Sequence, residues 1–144
     1  MRSIDADGHN ANHSIAIGFE ALYGITDGDY NVAVGSRALK VHTTGTRNIA
    51  IGYEAMHDTD AGTTAQGSSD NIFMGYSAGG GTWANAACTH NIGIGNYVMD
   101  AALNGALANT ALGYNSLSAL TTGDYNTSIG AHSMTALTTG AANI

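Results

Sequence analysis

A short string recurs along the chain in which apolar residues stand two apart. SIAIG (14–18), NVAVG (31–35), NIAIG (48–52), NIFMG (71–75), NIGIG (91–95), NTALG (109–113) and NTSIG (126–130) follow one another, and Asn143-Ile144 begins an eighth copy. A spacing of two is strand periodicity. It puts Ile15/Ile17, Val32/Val34, Ile49/Ile51, Ile72/Met74 and Ile92/Ile94 on one side of a strand. The small residues Ala16, Ala33, Ala50, Gly93, Ala111 and Ser128 fall on the other. So little side chain there implies that something packs closely against that side. Phe73 breaks the rule, which predicts a bulge or an altered contact at that point.

Each string closes on a glycine, at Gly18, Gly35, Gly52, Gly75, Gly95, Gly113 and Gly130, with spacings of 17, 17, 23, 20, 18 and 17 residues. A second element follows: FEAL (19–22), SRAL (36–39), YEAM (53–56), YNSL (114–117) and AHSM (131–134). A Thr-Gly turn comes next, at 26–28, 43–45, 121–123 and 138–140. The AL and AM segments have helical propensity, but each lies between glycines about a dozen residues apart, too short for a stable isolated helix. Strand or turn is the better reading. Insertions fall only at 57–70 and 77–90 while the N-x-x-I-G string stays intact. Variation confined to one part of each unit is how a solenoid accepts loops.

These patterns predict an all-β, parallel β-roll or solenoid of about seven coils of 17–23 residues, with residues 1–12 as a lead-in and 13–144 as the repeat domain. Coils stacked at about 4.8 Å give a rod of roughly 34 Å. An extended 17-residue coil has a contour of about 56 Å, enough for two short strands and two turns around a very thin core. Thin solenoid units need neighbours to close their faces, so further copies of the chain are expected as partners. The Asn column (Asn31, Asn48, Asn71, Asn91, Asn109, Asn126) reads as a structural ladder of stacked amides. The closing glycines read as sites of positive φ or close backbone approach.

Composition narrows the functional classes. Eleven acids against four cations give a net charge of −7, with no basic stripe to neutralise phosphates, so neither nucleic acid nor anionic lipid is an expected partner. No apolar run approaches the length of a membrane span, and MRSIDADGHN lacks the apolar core of a secretory signal. The break midway through a repeat at Ile144 suggests a piece of a longer fibre. Cys88 is alone, so cysteine use identifies no compartment.

Chemistry-bearing patterns are sparse. Asp5-Ala6-Asp7-Gly8 and Asp27-Gly28-Asp29 do not complete a calcium loop and read as turn acids. His9 and His13 are four apart in an extended region. His13 and His90 share a phase with Tyr30, Arg47, Asp70, Ala108 and Tyr125, a tolerance that marks an exposed rim. Glu20 and Glu54 share a phase but have coil 36–39 between them, so they do not form a neighbouring carboxylate pair. Gly79-Gly80-Gly81 lacks phosphate-loop spacing. No catalytic residue, metal site or cofactor is expected, and the chain reads as a non-enzyme. Tyr53, Tyr76 and Tyr114, in one column with Phe19, read first as ladder stacking and second as a platform for sugar rings. Trp83, in an insertion, is the candidate exposed anchor for a receptor.

SIAIG, NVAVG, NIAIG and NTSIG, each followed by a small residue and Leu or Met, resemble the head repeats of trimeric autotransporter adhesins such as the Yersinia adhesin. The longer unit NTSIGAHSMTALTTG is similar to repeats of phage tail-fibre proteins. The resemblance covers roughly residues 10–144 and implies a left-handed roll whose core is completed in a homotrimer at the surface of a virion or cell. The role it implies is a structural or receptor-binding segment of a phage tail fibre, with a host-surface receptor, glycan among the candidates, as partner. The alternatives are the head of a bacterial surface adhesin and a polysaccharide depolymerase fibre. Ice binding through Thr pairs 43–44, 121–122 and 138–139 is disfavoured because intervening coils lack the pair. The chain departs from the adhesins in its longer coils and in having neither heptad stalk nor membrane anchor.

Overall fold

The structure, a computed structural model, describes residues 12–59 and 67–144. The acids at 5–8, His9, the lead-in up to residue 11 and part of the first insertion (60–66) lie outside the described residues. Seven three-residue strands follow in chain order: β1 (Ile15–Ile17), β2 (Val32–Val34), β3 (Ile49–Ile51), β4 (Ile72–Met74), β5 (Ile92–Ile94), β6 (Thr110–Leu112) and β7 (Thr127–Ile129). They form one parallel sheet in sequential order. The chain is thus an all-β parallel β-solenoid, without a helix among the described residues. Six full turns separate β1 from β7, a rise of about 29 Å at the usual strand spacing.

Matching positions of the repeat lie directly over one another. Ile15, Val32, Ile49, Ile72, Ile92, Thr110 and Thr127 form one ladder, and Ile17 through Ile129 another. Between them the inner position is buried: Ala33, Ala50, Phe73 and Ala111 show no more than 1% exposure. The small residue therefore points into the coil, where the opposite wall brings up Leu22, Leu39, Met56, Met99 and Leu117. Partial β-bridges, Val41 with Asp58 and Ser69 with Thr89 and then Leu107, tie successive coils along the far side.

The corners depend on an unusual backbone. In a regular coil three non-glycine residues are left-handed, for example Tyr30 (φ 60°), Arg37 (φ 61°) and Leu39 (φ 49°), and the pattern recurs up the rod. Each such residue costs about 1–2 kcal/mol. Neighbouring coils offset that cost: Arg37 N donates to Phe19 O at 2.8 Å and Leu39 N to Ala55 O at 3.0 Å, while the Leu39 side chain is fully buried. A coil by itself would carry the strain without these bonds.

The closing glycines are a case of close approach. A Cβ on Gly35 (φ 137°) would lie 2.3 Å from the carbonyl oxygen of Gly52, and Gly52, Gly75 and Gly95 are equally tight against the next coil. Only glycine allows the backbones to stack there.

Phe73 causes no bulge. The register Ala50–Phe73–Gly93 runs unbroken through it, and the altered contact is across the coil instead. The 23- and 20-residue coils are wide enough to hold a ring. Gly79 and Gly93 line it so closely that a Cβ on either would come within 2.8 Å of the Phe73 ring.

Trp83 requires a correction. Expected as an exposed anchor, it is fully buried, edge-on to Phe73 at 5.8 Å, with Nε1 donating to Gly79 O at 3.0 Å. The physical reason is that insertion 77–90 does not loop away from the rod. It widens the coil, and the larger interior needs large apolar side chains to fill it.

Candidate interaction face

Two kinds of surface can carry function: the outward strand face and its rims. On the face, the residues either side of each buried inner position project outward. Ile17 is 55% exposed, Ile94 39% and Ile129 68%, with Ile15, Ile51, Ile92 and Leu112 similarly open. Three residues per strand span about 10 Å and seven strands about 29 Å. That flat area, near 300 Å² in projection, approaches the size at which exposed apolar patches mark interaction sites.

The rim before the strands is mixed. His13 stacks on Tyr30 at 4.9 Å, and Arg47 then grips Asp70 through Nε and Nη2 at 2.6 and 2.8 Å. Hydrogen bonds from Arg47 hold the Asp70 carboxyl below its usual value. The rim after the strands is aromatic. Tyr53 stacks on Tyr76 at 5.2 Å, Tyr97 stands 5.3 Å beyond Tyr76, and Tyr114 and His132 continue the row at 6.1 and 5.1 Å. Tyr97 and His132 were not recognised from sequence because they follow their glycine by two positions where Tyr53, Tyr76 and Tyr114 follow by one. Superposing both columns would have found them.

Glu20 and Glu54 lie either side of Arg37. Arg37 Nη1 donates to Glu54 at 3.0 Å, Nε is 3.5 Å from Glu20, and Lys40 Nζ approaches Glu20 at 2.7 Å. The Lys40 hydrogen bond holds Glu20 below its ordinary value. At Glu54, burial raises the carboxyl, but hydrogen bonds from Arg37 and Tyr53 bring the net shift downward. Both are thus carboxylates in an alternating charge ladder. Cys88 is buried, and desolvation pushes its thiol up to about 11, which makes it unreactive. Among the described residues no cluster of three or more His, Cys, Asp or Glu could hold a metal ion, and no helix is long and apolar enough to cross a membrane.

The Asn column is interior. Asn31, Asn48, Asn71, Asn91, Asn109 and Asn126 are all fully buried. Asn109 shows the pattern: its backbone N and Nδ2 donate to Asn91 Oδ1 at 3.1 and 3.0 Å, and Nδ2 also donates to Gly123 O at 2.8 Å. Its own Oδ1 receives the same pair from Asn126. Every donor and acceptor of the amide is thus used, which leaves the column no capacity for a ligand. Ser14 Oγ takes the Asn place at the base of the ladder by accepting from Asn31 N at 3.0 Å. His42, which the sequence did not single out, is buried beside this ladder, with Nδ1 2.8 Å from Thr59 Oγ1 and Nε2 3.1 Å from Gly45 O.

No family model, curated protein or solved structure matches the chain.

Proposed function

We propose that the chain is a segment of a rod-like surface fibre that self-associates through the outward face of β1–β7 and serves host-surface attachment, as in the phage tail fibres its repeats resemble. The observation that carries this reading is the double row of outward apolar residues, with Ile17, Ile94, Leu112 and Ile129 exposed and Val32, Val34 and Ile49 half-buried, on a sheet whose inner positions from Ala33 to Ser128 are buried. A solenoid that needed only to fold could have placed polar residues there. The row instead remains apolar from Ile15 to Ile129, apart from Thr110 and Thr127. Covering it with copies of the same chain removes that surface from water at about 25 cal/mol per Å² and thickens a core that is one side chain deep.

The assembly proposed is a homotrimer of left-handed rolls. Association of more than one copy is supported by the exposed face; the number three and the handedness come from the resemblance. A virion fibre or other extracellular appendage is the setting in which such a rod gives reach. The head of a bacterial adhesin is the same architecture in a different setting.

The test is the mass and shape of the purified protein, by light scattering and negative-stain imaging. Thin rods of trimer mass are expected, and Ile51→Asp with Ile94→Asp should dissociate them. A monodisperse, well-folded monomer in the unmodified chain would overturn the reading.

A further inference from the structure

The five rings of the aromatic rim form a continuous row across the upper coils, although the repeat alone does not require it. Asn96 occupies the place after Gly95 where Tyr76 and Tyr114 stand in their coils, and the row is carried past it by Tyr97, one residue later. His132 extends it past Ala131 in the same manner. The tyrosines are 36–49% exposed. Their planes do not form a closed pile. Tyr53 and Tyr76 lie 16° apart and cover one another, but Tyr97 is turned 60° to Tyr76, Tyr114 90° to Tyr97 and His132 77° to Tyr114. From Tyr97 upward the row therefore offers both ring faces and ring edges.

Polar groups accompany the rings. Glu54 lies beside the Tyr53 hydroxyl. Asn96 Oδ1 accepts from Tyr76 N at 2.9 Å, which leaves its amide donors at the surface, and Asn115 Nδ2 lies 3.5 Å from His132 Nδ1. The geometry points to a binding track for an extended, neutral glycan laid along the rod axis. Sugar rings combine apolar C–H faces with hydroxyl edges, the same division that tyrosine presents, and the interval between the protein rings is close to one sugar residue of an extended chain. Charge selects against anionic glycans: the net charge is −7, and among the described residues Arg37, Lys40 and Arg47 are each engaged by Glu20, Glu54 or Asp70. The inference deepens the attachment reading and rests on it for its biological setting.

The experiment is calorimetric titration of the assembled protein with cellohexaose, chitohexaose and maltohexaose, with dextran sulfate as the anionic counter-probe. At least one neutral hexasaccharide is expected to bind, more tightly than its disaccharide. Tyr97→Ala should weaken binding about fivefold. Tyr97→Phe, which keeps the ring, should weaken it less, and Tyr23→Ala, an exposed tyrosine outside the row, should leave it unchanged. Circular dichroism of each variant separates loss of the track from loss of fold. Absence of binding by all three neutral probes, binding of dextran sulfate alone, or undiminished binding by well-folded Tyr97→Ala would each overturn the track. Light scattering on the same samples keeps the two readings apart. An assembled protein that ignores neutral glycans overturns the track alone, and a monomer that binds them overturns the assembly alone.

Discussion

The 17-residue coils at either end of the rod and the long coils in its middle solve the same problem with different interiors. In a short coil, such as the one from Ser36 to Gly52, the inner position is Ala50 and the buried interior is filled by Ala38 and Leu39. In the two long coils, 53–75 and 76–95, the inner positions are Phe73 and Gly93, and the Phe73 ring is lined by Gly79 and Gly93 and met edge-on by Trp83. What does not differ is the clamp. Each Asn donates to the carbonyl three residues before the next Asn: Asn31 to Gly45, Asn48 to Ser68, Asn71 to Cys88, Asn91 to Ala106, Asn109 to Gly123 and Asn126 to Gly140. The clamp fixes where each coil must return, whatever its length. Extra residues are absorbed between the strand's exit and that point, and the register of the sheet never feels them. Glycine stands at the return point of the short coils, where a Cβ on Gly45 would meet Ser68 O and the His42 ring, whereas the wider coils accept Ser68, Cys88 and Ala106.

The largest effect should come from breaking what the two regions share. Asn109→Asp in a short coil and Asn71→Asp in a long one each bury a carboxylate against an amide oxygen and a carbonyl. Both should cost about 3–5 kcal/mol by urea denaturation, and a large difference between them would show that the clamp is not region-independent. Next comes the interior particular to the long coils. Phe73→Ala leaves a cavity beneath Trp83 and should cost about 3–5 kcal/mol. Deleting one unit of each kind sharpens the contrast. Removing 36–52 should shorten the rod and keep its β signal, whereas removing 76–95 takes Trp83 and Gly93 from around Phe73 and should destabilise the remainder.

A smaller effect is expected at Gly93→Ala, whose new methyl group meets the Phe73 ring, at about 1–3 kcal/mol. Combined with Phe73→Ala it should cost less than the sum, because the pair restores the small-on-small packing of the short coils; a double-mutant cycle on thermal denaturation reads the coupling. The smallest effect is electrostatic. Asp70 lies below its ordinary 3.8 because Arg47 hydrogen-bonds it. A depressed carboxylate contributes stability above its unfolded value and loses it as pH falls through the folded one. The urea midpoint should therefore decline below about pH 4, and Arg47→Ala should flatten part of that decline. The exposure of the pair keeps the effect modest.

Much of this architecture is legible in the amino-acid sequence. The alternation in NIAIG identifies a strand, the seven glycines mark the coils, and the small inner residue indicates a close wall. Trp83 was misjudged because sequence shows that an insertion exists but not whether it leaves the rod or widens it. Tyr97 and His132 were missed because a one-residue offset removes them from their column in the sequence, while at a turn it moves a ring only slightly. The left-handed corners at Arg37, Leu39, Glu54 and Met56 carry no local signal either, since none of these residue types favours positive φ.

The sequence by itself determined the period, the strands and the stacking of like upon like, because parallel in-register pairing aligns each residue with its counterpart one repeat away. Only the tertiary structure decided which side of the strand is the inside, how an amide ladder tolerates coils of unequal length, and which aromatic rings meet. Those outcomes depend on contacts between coils, where bonds to the neighbouring turn outweigh the preference of any single residue.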